Sequence, residues 1–369
     1  MEIFLQKQQI SSALAIVANA IGNKKDGKVL IEYKNKCVYF TAFDMLEVSC
    51  KIPLVEGEEG KAVLSTQDLL SVIKTAENRE IVNISDKSRS MVEITFANDQ
   101  SDKLPNLIEE FDIEKSLIKK PRTFTIPATT FQEMLFNTGF SIPVNDSRHY
   151  LNAGCLIIKD SVVSLSSSDG RRVSISESRI DSKIRPRAKL FIPRATIIAL
   201  TKLVKPNSHI LKVQFNKSAI RFEMNDVVIT SGLITEPEEY PDLESIFAKQ
   251  ENMTHIHMRK EPLMQFLLRM NRDRCIPSQA YFGFSKSESS VECYNRSKTI
   301  TTRIPLVAIK EDMLISFNPS YLLDVIKRIT TTSFVLAIRT APKSSAIITY
   351  KSLSENQFCI MPMRITSEK

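Results

Sequence analysis

The chain has 369 residues, 43% hydrophobic and 25% charged, which is enough for two or three domains with packed cores. Its net charge of +8 is spread along the sequence without a basic tail, which leaves room for an anionic partner such as nucleic acid. No apolar window has the length of a membrane span and the N-terminus lacks a signal peptide's basic start, so a cytoplasmic protein without a membrane partner is expected.

In chain order, Ile3-Phe4 leads into an apolar-periodic stretch, Ile10–Ala20. A turn with lysines Lys24, Lys25 and Lys28 follows, then three alternating stretches, Val29–Tyr33, Cys37–Ala42 and Leu46–Ile52, which read as strands. Val55–Gly60 is a hairpin-type turn. Ala62–Lys74 is a strand running into a helix, with Ser65 or Thr66 as N-cap. Strands Ile81–Ile84 and Met91–Phe96 come next, then a polar, turn-rich stretch, Ala97–Lys120, broken by Leu104–Leu107.

Phe124–Pro127 leads into a helix over Phe131–Thr138. Leu190–Val204 reads as a strand, a break at Pro193 and an amphipathic helix. Ile197, Ile198, Leu200 and Leu203 fall on one side, Arg194, Thr201 and Lys202 on the other. Pro193, lacking an N–H, suits a first helical turn. Glu236–Pro241 leads towards a linker, and Ile256–Met258 into a helix over Pro262–Met270. Leu314–Lys327 repeats the strand–helix unit, with Asn318 capping and Pro319 in the first turn. Strands Phe334–Arg339 and Ala346–Tyr350 and a tail strand, Phe358–Ile365, close the chain.

The unit at Ala62–Lys74 recurs at Leu190–Val204 and Leu314–Lys327, about 125 residues apart, and a looser copy precedes each by about 60 residues. The pattern predicts six strand–helix units in three pairs, with domains at 1–121, 122–250 and 251–369. Strands outnumber helices, so the expected class is α+β, with helices gathered on one side of antiparallel sheets.

The six cysteines, Cys37, Cys50, Cys155, Cys275, Cys293 and Cys359, lie mostly in apolar runs and read as reduced core residues. His255 and His257 stand without a third metal ligand, and neither HExxH nor CxxC occurs. With nine glycines there is no P-loop and no GxGxxG, and Ser168-Asp169-Gly170 lacks a surrounding GxSxG. No catalytic residue, metal or cofactor is expected, although a His/Cys dyad stays open on sequence alone. A non-ring DNA-binding protein of replication or repair is the other alternative. Against single-strand binding by stacking, the chain has no tryptophan and its phenylalanines mostly sit in apolar runs.

Five peptides carry a resemblance to one family. Ser166–Ile175 (SSSDGRRVSI) resembles the TDGHRL segment of bacterial DNA polymerase III beta subunits, the sliding clamps. Tyr240–Ile246 (YPDLESI) is similar to their FPD segment, Ile360–Ile365 (IMPMRI) to their C-terminal VMPMRL, and Arg148–Asn152 (RHYLN) to their RYYLN. Phe317–Val325 (FNPSYLLDV) is similar to their last helix. The matches run in order along the whole chain and agree with the repeat.

The resemblance implies the DNA clamp fold: three similar domains, each with two helices on antiparallel sheets, and a head-to-tail homodimeric ring. Twelve helices at about 10 Å each close a circle about 38 Å across, leaving about 28 Å inside the helices. A duplex about 20 Å wide passes with room for water. Such a ring slides on double-stranded DNA, touching phosphates rather than reading bases, and is held by topology. Implied partners are the DNA polymerase III catalytic subunit, the clamp loader and other clamp-binding-motif proteins.

By the same resemblance, candidate DNA-contacting residues are Lys24, Lys25, Arg148, His149 and Tyr150; Arg194, which begins a helix, and Lys74, Lys202 and Lys327 on second helices are further candidates by position. For each, a solvated surface charge is the alternative. The implied partner-peptide pocket comprises Leu151, Ser168, Gly170, Arg171, Arg172, Val173, Pro241, Ile246, Cys359, Met361, Pro362, Met363 and Arg364. Two methionines flanking a proline give a deformable apolar surface, and Arg172 and Arg364 suit a peptide carbonyl or carboxylate. Met361 and Met363 as core strand residues are the alternative. Departures from the family pattern are Ser245 in place of arginine, Arg171 in place of histidine, and the extension Thr366–Lys369. Arg274 and Cys275 fall near the family's subunit interface, with Val92 and Ile94 expected to face it.

Overall fold

The computed structural model describes residues 1–21, 27–44, 46–88, 90–110, 118–205, 209–235, 240–248, 253–272, 279–306, 309, 311–338, 346–352 and 354–365. Seven α-helices lie within these residues: α1 (Lys7–Ile21), α2 (Thr66–Thr75), α3 (Ala128–Thr138), α4 (Arg194–Leu203), α5 (Leu243–Ala248), α6 (Lys260–Met270) and α7 (Pro319–Arg328). All but α5 follow a strand directly or after one residue, which gives the six expected strand–helix junctions in their expected order.

The junctions form for local reasons. Ser65 Oγ accepts the Asp68 N–H at 3.3 Å, so the N-cap of α2 is Ser65 and not Thr66. Asn318 accepts from the Ser320 and Tyr321 N–H groups at 2.9 and 3.3 Å, and Pro319 opens α7. Helix α4 buries Thr196, Ile197, Ala199 and Leu200, while Ile198 and Leu203 are only half-buried. Pro193 is the last strand residue, paired with Ala153, and not part of the helix. A strand end tolerates its missing N–H, and the next donor, Arg194 N–H, reaches Asn152 O at 3.1 Å.

The chain forms two compact units. The first holds Met1–Ala128 and Ala195–Leu233. Its five-stranded antiparallel sheet runs in the order Gly57–Glu58, Glu2–Gln6, Ile81–Ser88, Met91–Thr95, Ser101–Pro105. Its eight-stranded sheet runs Arg122–Pro127, Ile210–Phe215, Ala219–Met224, Val227–Gly232, Leu46–Pro53, Cys37–Phe43, Lys28–Lys34, Gly60–Ser65. Alternation sets the faces: Ile220, Phe222 and Met224 point inward from one strand. Helix α1 packs on strands 37–43 and 46–53 and against α2. Within the stretch read as polar and turn-rich, Ser101–Pro105 is a strand, paired with Met91–Thr95. Val92 and Ile94 are fully buried in this unit, which corrects their placement at a subunit surface.

The second unit holds Thr129–Arg194 and Ile234–Lys369. Its six-stranded sheet runs Ala153–Ser168, Arg172–Pro193, Glu355–Ile360, Ala346–Lys351, Ser333–Ile338, Thr254–Arg259. Its four-stranded sheet runs Thr301–Pro305, Ser290–Asn295, Ala280–Ser285, Met313–Phe317. Helices α6 and α7 pack together over a core that includes Phe266, Phe282, Phe317, Leu322, Phe334 and Phe358. The tail strand ends at Ile360, not Ile365, because Pro362 has no N–H to continue a ladder.

Cys50, Cys155, Cys293 and Cys359 are buried, Cys37 is half-buried, and Cys275 lies outside the described residues. Burial pushes the Cys50 thiol up to about 11. Among the described residues no helix is long and apolar enough to cross a membrane, and no cluster of three metal-ligating side chains forms.

Candidate functional site

The site is built on the turn that joins the two long strands of the second unit, Ser168–Arg172. Ser168 Oγ donates to Arg172 O at 2.9 Å and accepts from the Gly170 N–H at 3.0 Å. The Asp169 carboxylate accepts from the Arg171 N–H at 2.9 Å, the Arg172 N–H at 3.0 Å and Arg172 Nε at 2.9 Å. Gly170 sits at φ +81°, a conformation that calls for glycine, and a Cβ there would lie 2.6 Å from Arg148 Nη1, so the end of that exposed side chain would have to shift. Arg148 grips Asp146 through two bonds of 2.9 and 2.8 Å and donates to Asp169 O at 3.2 Å. Its hydrogen bonds hold the Asp146 carboxyl down at about 2.

Arg172 is almost wholly buried. Its guanidinium pairs with Asp169 and, at 2.7 Å, with Asp324 of α7. It also lies over the rings of Phe140, at 5.0 Å, and Tyr321, at 4.7 Å. Two carboxylates already balance its charge, so it braces the wall of the site rather than standing as an open cation.

The floor is apolar. Val173 is paired with Cys359, and both pack with Ile175, Leu243, Phe247, Ala337 and Ile347, with Ile246 half-buried against them. Beyond Ile360, the Met361 N–H still reaches Arg171 O at 2.9 Å, while the Met361 side chain is 55% exposed. Met363 N–H then bonds Ser316 O at 2.8 Å, and Gln279 Nε2 holds Arg364 O at 2.8 Å. Pro362 and Met363 are half-buried and Arg364 is exposed.

Ser168, Gly170, Arg171, Arg172, Val173, Ile246, Cys359 and Met361 are thus joined in one place. Leu151 is buried at the end of the 3-10 turn His149–Leu151, beside Arg148. The tail residues Pro362, Met363 and Arg364 turn towards Ser316 and Gln279 of the four-stranded sheet region. Pro241 lines a pocket of about 470 Å³ with Cys155, Ile157, Ser166, Tyr240 and Leu243 among others. Ser245 is exposed on α5, capped back onto Asp242.

Of the residues expected to meet DNA, Arg148 and His149 are exposed and Tyr150 is half-buried, its ring edge-on to Tyr240 at 6.4 Å. Arg194, the first residue of α4, donates from Nε to Ile142 O at 3.3 Å, which ties it to the loop 142–152. Lys74, Lys202 and Lys327 are exposed on their helices. Lys24, Lys25, Arg274 and Thr366–Lys369 lie outside the described residues.

Sequence reading did not single out Phe140, Gln279, Ser316, Tyr321 or Asp324 for this site. The spacing of Tyr321 and Asp324, three apart on one helix face, is the signal that was available.

Antiparallel sheets carrying six helices at strand–helix junctions define an α+β clamp fold. Residues 125–242 match the family profile of the DNA polymerase III beta subunit, central domain. The beta sliding clamp of Buchnera aphidicola subsp. Rhopalosiphum padi is 24% identical over 342 residues, covering 91% of each chain. That of Haemophilus influenzae is 20% identical, covering 99% of this chain and all of its own. A solved Pseudomonas aeruginosa sliding clamp bound to griselimycin is 18% identical and superposes with a TM-score of 0.87 over 99% of this chain and 100% of its own. Over nearly its whole length the chain is similar to DNA polymerase III beta subunits, the beta sliding clamps, and its central part matches that family's profile.

Proposed function

We propose that the protein is a non-catalytic sliding clamp of three domains, 1–121, 122–250 and 251–369. Two copies close head to tail around double-stranded DNA and tether the DNA polymerase III catalytic subunit. A clamp loader places the ring, and other clamp-binding-motif proteins use the pocket around Arg172, Cys359 and Met361. It works in the cytoplasm, needs no cofactor, and meets phosphates through Lys24, Lys25, Arg148, His149, Tyr150 and Arg194.

One observation carries this reading. Two sheet joints are made within the chain, Val227–Ser231 with Leu46–Cys50 and Glu355–Ile360 with Arg172–Glu177. In each, a strand late in one repeat pairs with a strand of the repeat before it. By the same rule the first repeat should offer Ser101–Pro105 and the last Thr301–Pro305. Both are edge strands of their sheets. An open edge attracts another strand, and two different edges on one chain fit a head-to-tail contact that closes into a ring.

The test is topological. Loaded on nicked circular DNA by the cognate loader, the protein should survive a high-salt wash and leave once the circle is cut. Equal loss from circular and linear DNA as salt rises would instead indicate an open, non-ring binder.

A further inference from the structure

Five side chains of the second unit alternate ring and cation: Tyr321, Arg172, Phe140, Arg328, Phe136. The Arg172 guanidinium lies 4.7 Å from the Tyr321 ring centre and 5.0 Å from that of Phe140. The Arg328 guanidinium lies 4.8 Å from Phe140 and 4.3 Å from Phe136. The spacing explains how helices supply them. Phe136 in the last turn of α3 and Phe140 in the 3-10 turn Gly139–Ser141 that follows it are four apart, and Tyr321 and Arg328 are two turns apart on α7.

Phe136 is 39% exposed, a position where burial alone gives a phenylalanine little reason to be. Arg328 Nε is buried without a hydrogen-bond partner; desolvation, and to a lesser degree the Arg172 charge, disfavour its cation, while Asp324, Tyr350 and the two ring faces favour it. At the other end, Asp169 and Asp324 hold the in-plane N–H groups of Arg172. The rings on either side restrict its rotation out of that plane.

We propose that Phe136 and Arg328 are positioning residues of the pocket: acting through Phe140, they fix the Arg172 guanidinium and so raise affinity for a partner peptide they do not touch. The effect on affinity rests on the partner-peptide reading of the pocket; the effect on Arg172 does not.

The test compares Phe136→Leu, which keeps apolar bulk without a ring, with Phe136→Tyr, and Arg328→Met with Arg328→Lys. The first readout is the Arg172 Nε–Hε NMR signal. Phe136→Leu and Arg328→Met should shift it and speed its exchange with water, while Phe136→Tyr and Arg328→Lys should keep it near the wild-type position. The second readout is griselimycin affinity by calorimetry, which should fall about two- to fivefold in the first pair and recover in the second. An Arg172 signal unmoved in Phe136→Leu overturns the positioning. A moved signal with unchanged affinity overturns its link to binding. Failure of the wild type to bind griselimycin counts against the pocket reading, and the NMR comparison still decides the positioning.

Discussion

Removing the Asp169 carboxylate tests the turn at the centre of the site. It accepts three bonds, from two backbone N–H groups and Arg172 Nε, at 2.9 to 3.0 Å. A net hydrogen bond is worth about 1 kcal/mol, and a charged one in a largely buried setting about 1.5 to 3 kcal/mol. Asp169→Ala loses all three, while Arg172 keeps Asp324 and the turn relaxes into water. A local loss of about 2 to 4 kcal/mol is expected. Asp169→Asn keeps an acceptor for the backbone and loses the charge, so about half that loss is expected. The assay is amide hydrogen exchange at Arg171 and Arg172. A 2 kcal/mol loss accelerates it about 30-fold, and Asp169→Asn should fall between the alanine variant and wild type. Exchange rates within twofold of wild type in Asp169→Ala would refute the reasoning, since the turn would then be held by something other than this carboxylate.

Gly170→Ala meets Arg148 and a left-handed φ at once, so about 1 to 3 kcal/mol of destabilisation is expected. A thermal melt should show it, and adding Arg148→Ala should restore part of it by removing the clash but not the φ cost. The Asp146 carboxyl is held at about 2, below its unfolded range. Its pairing with Arg148 should therefore persist above about pH 4 and be lost as pH falls towards 2. The Asp146 side-chain carboxyl shift by NMR follows this, and a midpoint at or above about 4 contradicts it. Among the described cysteines, half-buried Cys37 should react with a thiol reagent first, while Cys50, buried with its thiol raised to about 11, should stay unmodified in the folded protein. Phe282→Ala empties the centre of the second unit's core and should cost about 3 to 5 kcal/mol, read as an early loss of that unit in denaturant.

Much of the fold was legible because its signals are local. Ser65 and Asn318-Pro319 announce helix starts by cap chemistry, and the apolar spacing after them is helical, so the repeat could be counted without coordinates. Where the expectation failed, a distant partner decided. Pro193 became a strand end because Ala153 pairs with it. Ser101–Pro105 became a strand because Met91–Thr95 offered an edge, although its own residues are polar. The resemblance points Val92 and Ile94 at the subunit interface, but the alternation of their own strand buries them.

The site divides in the same way. The turn Ser168–Arg172 and the Met-Pro-Met tail are legible only through their resemblance to the family's TDGHRL and VMPMRL segments. The Arg172–Asp324 pair spans 152 residues, and the Phe136–Arg328 contact joins helices from different repeats. No periodicity within a segment encodes either. They exist only once the strands 172–177 and 355–360 have paired and brought α3 and α7 near one sheet.

The most direct measurement is the molar mass of the purified protein by sedimentation equilibrium at micromolar concentration. With edges at Ser101–Pro105 and Thr301–Pro305 open in one chain, the expected mass is that of two chains, unchanged on further concentration. A single-chain mass throughout, or a mass that climbs with concentration without stopping at two, would contradict the closed head-to-tail ring.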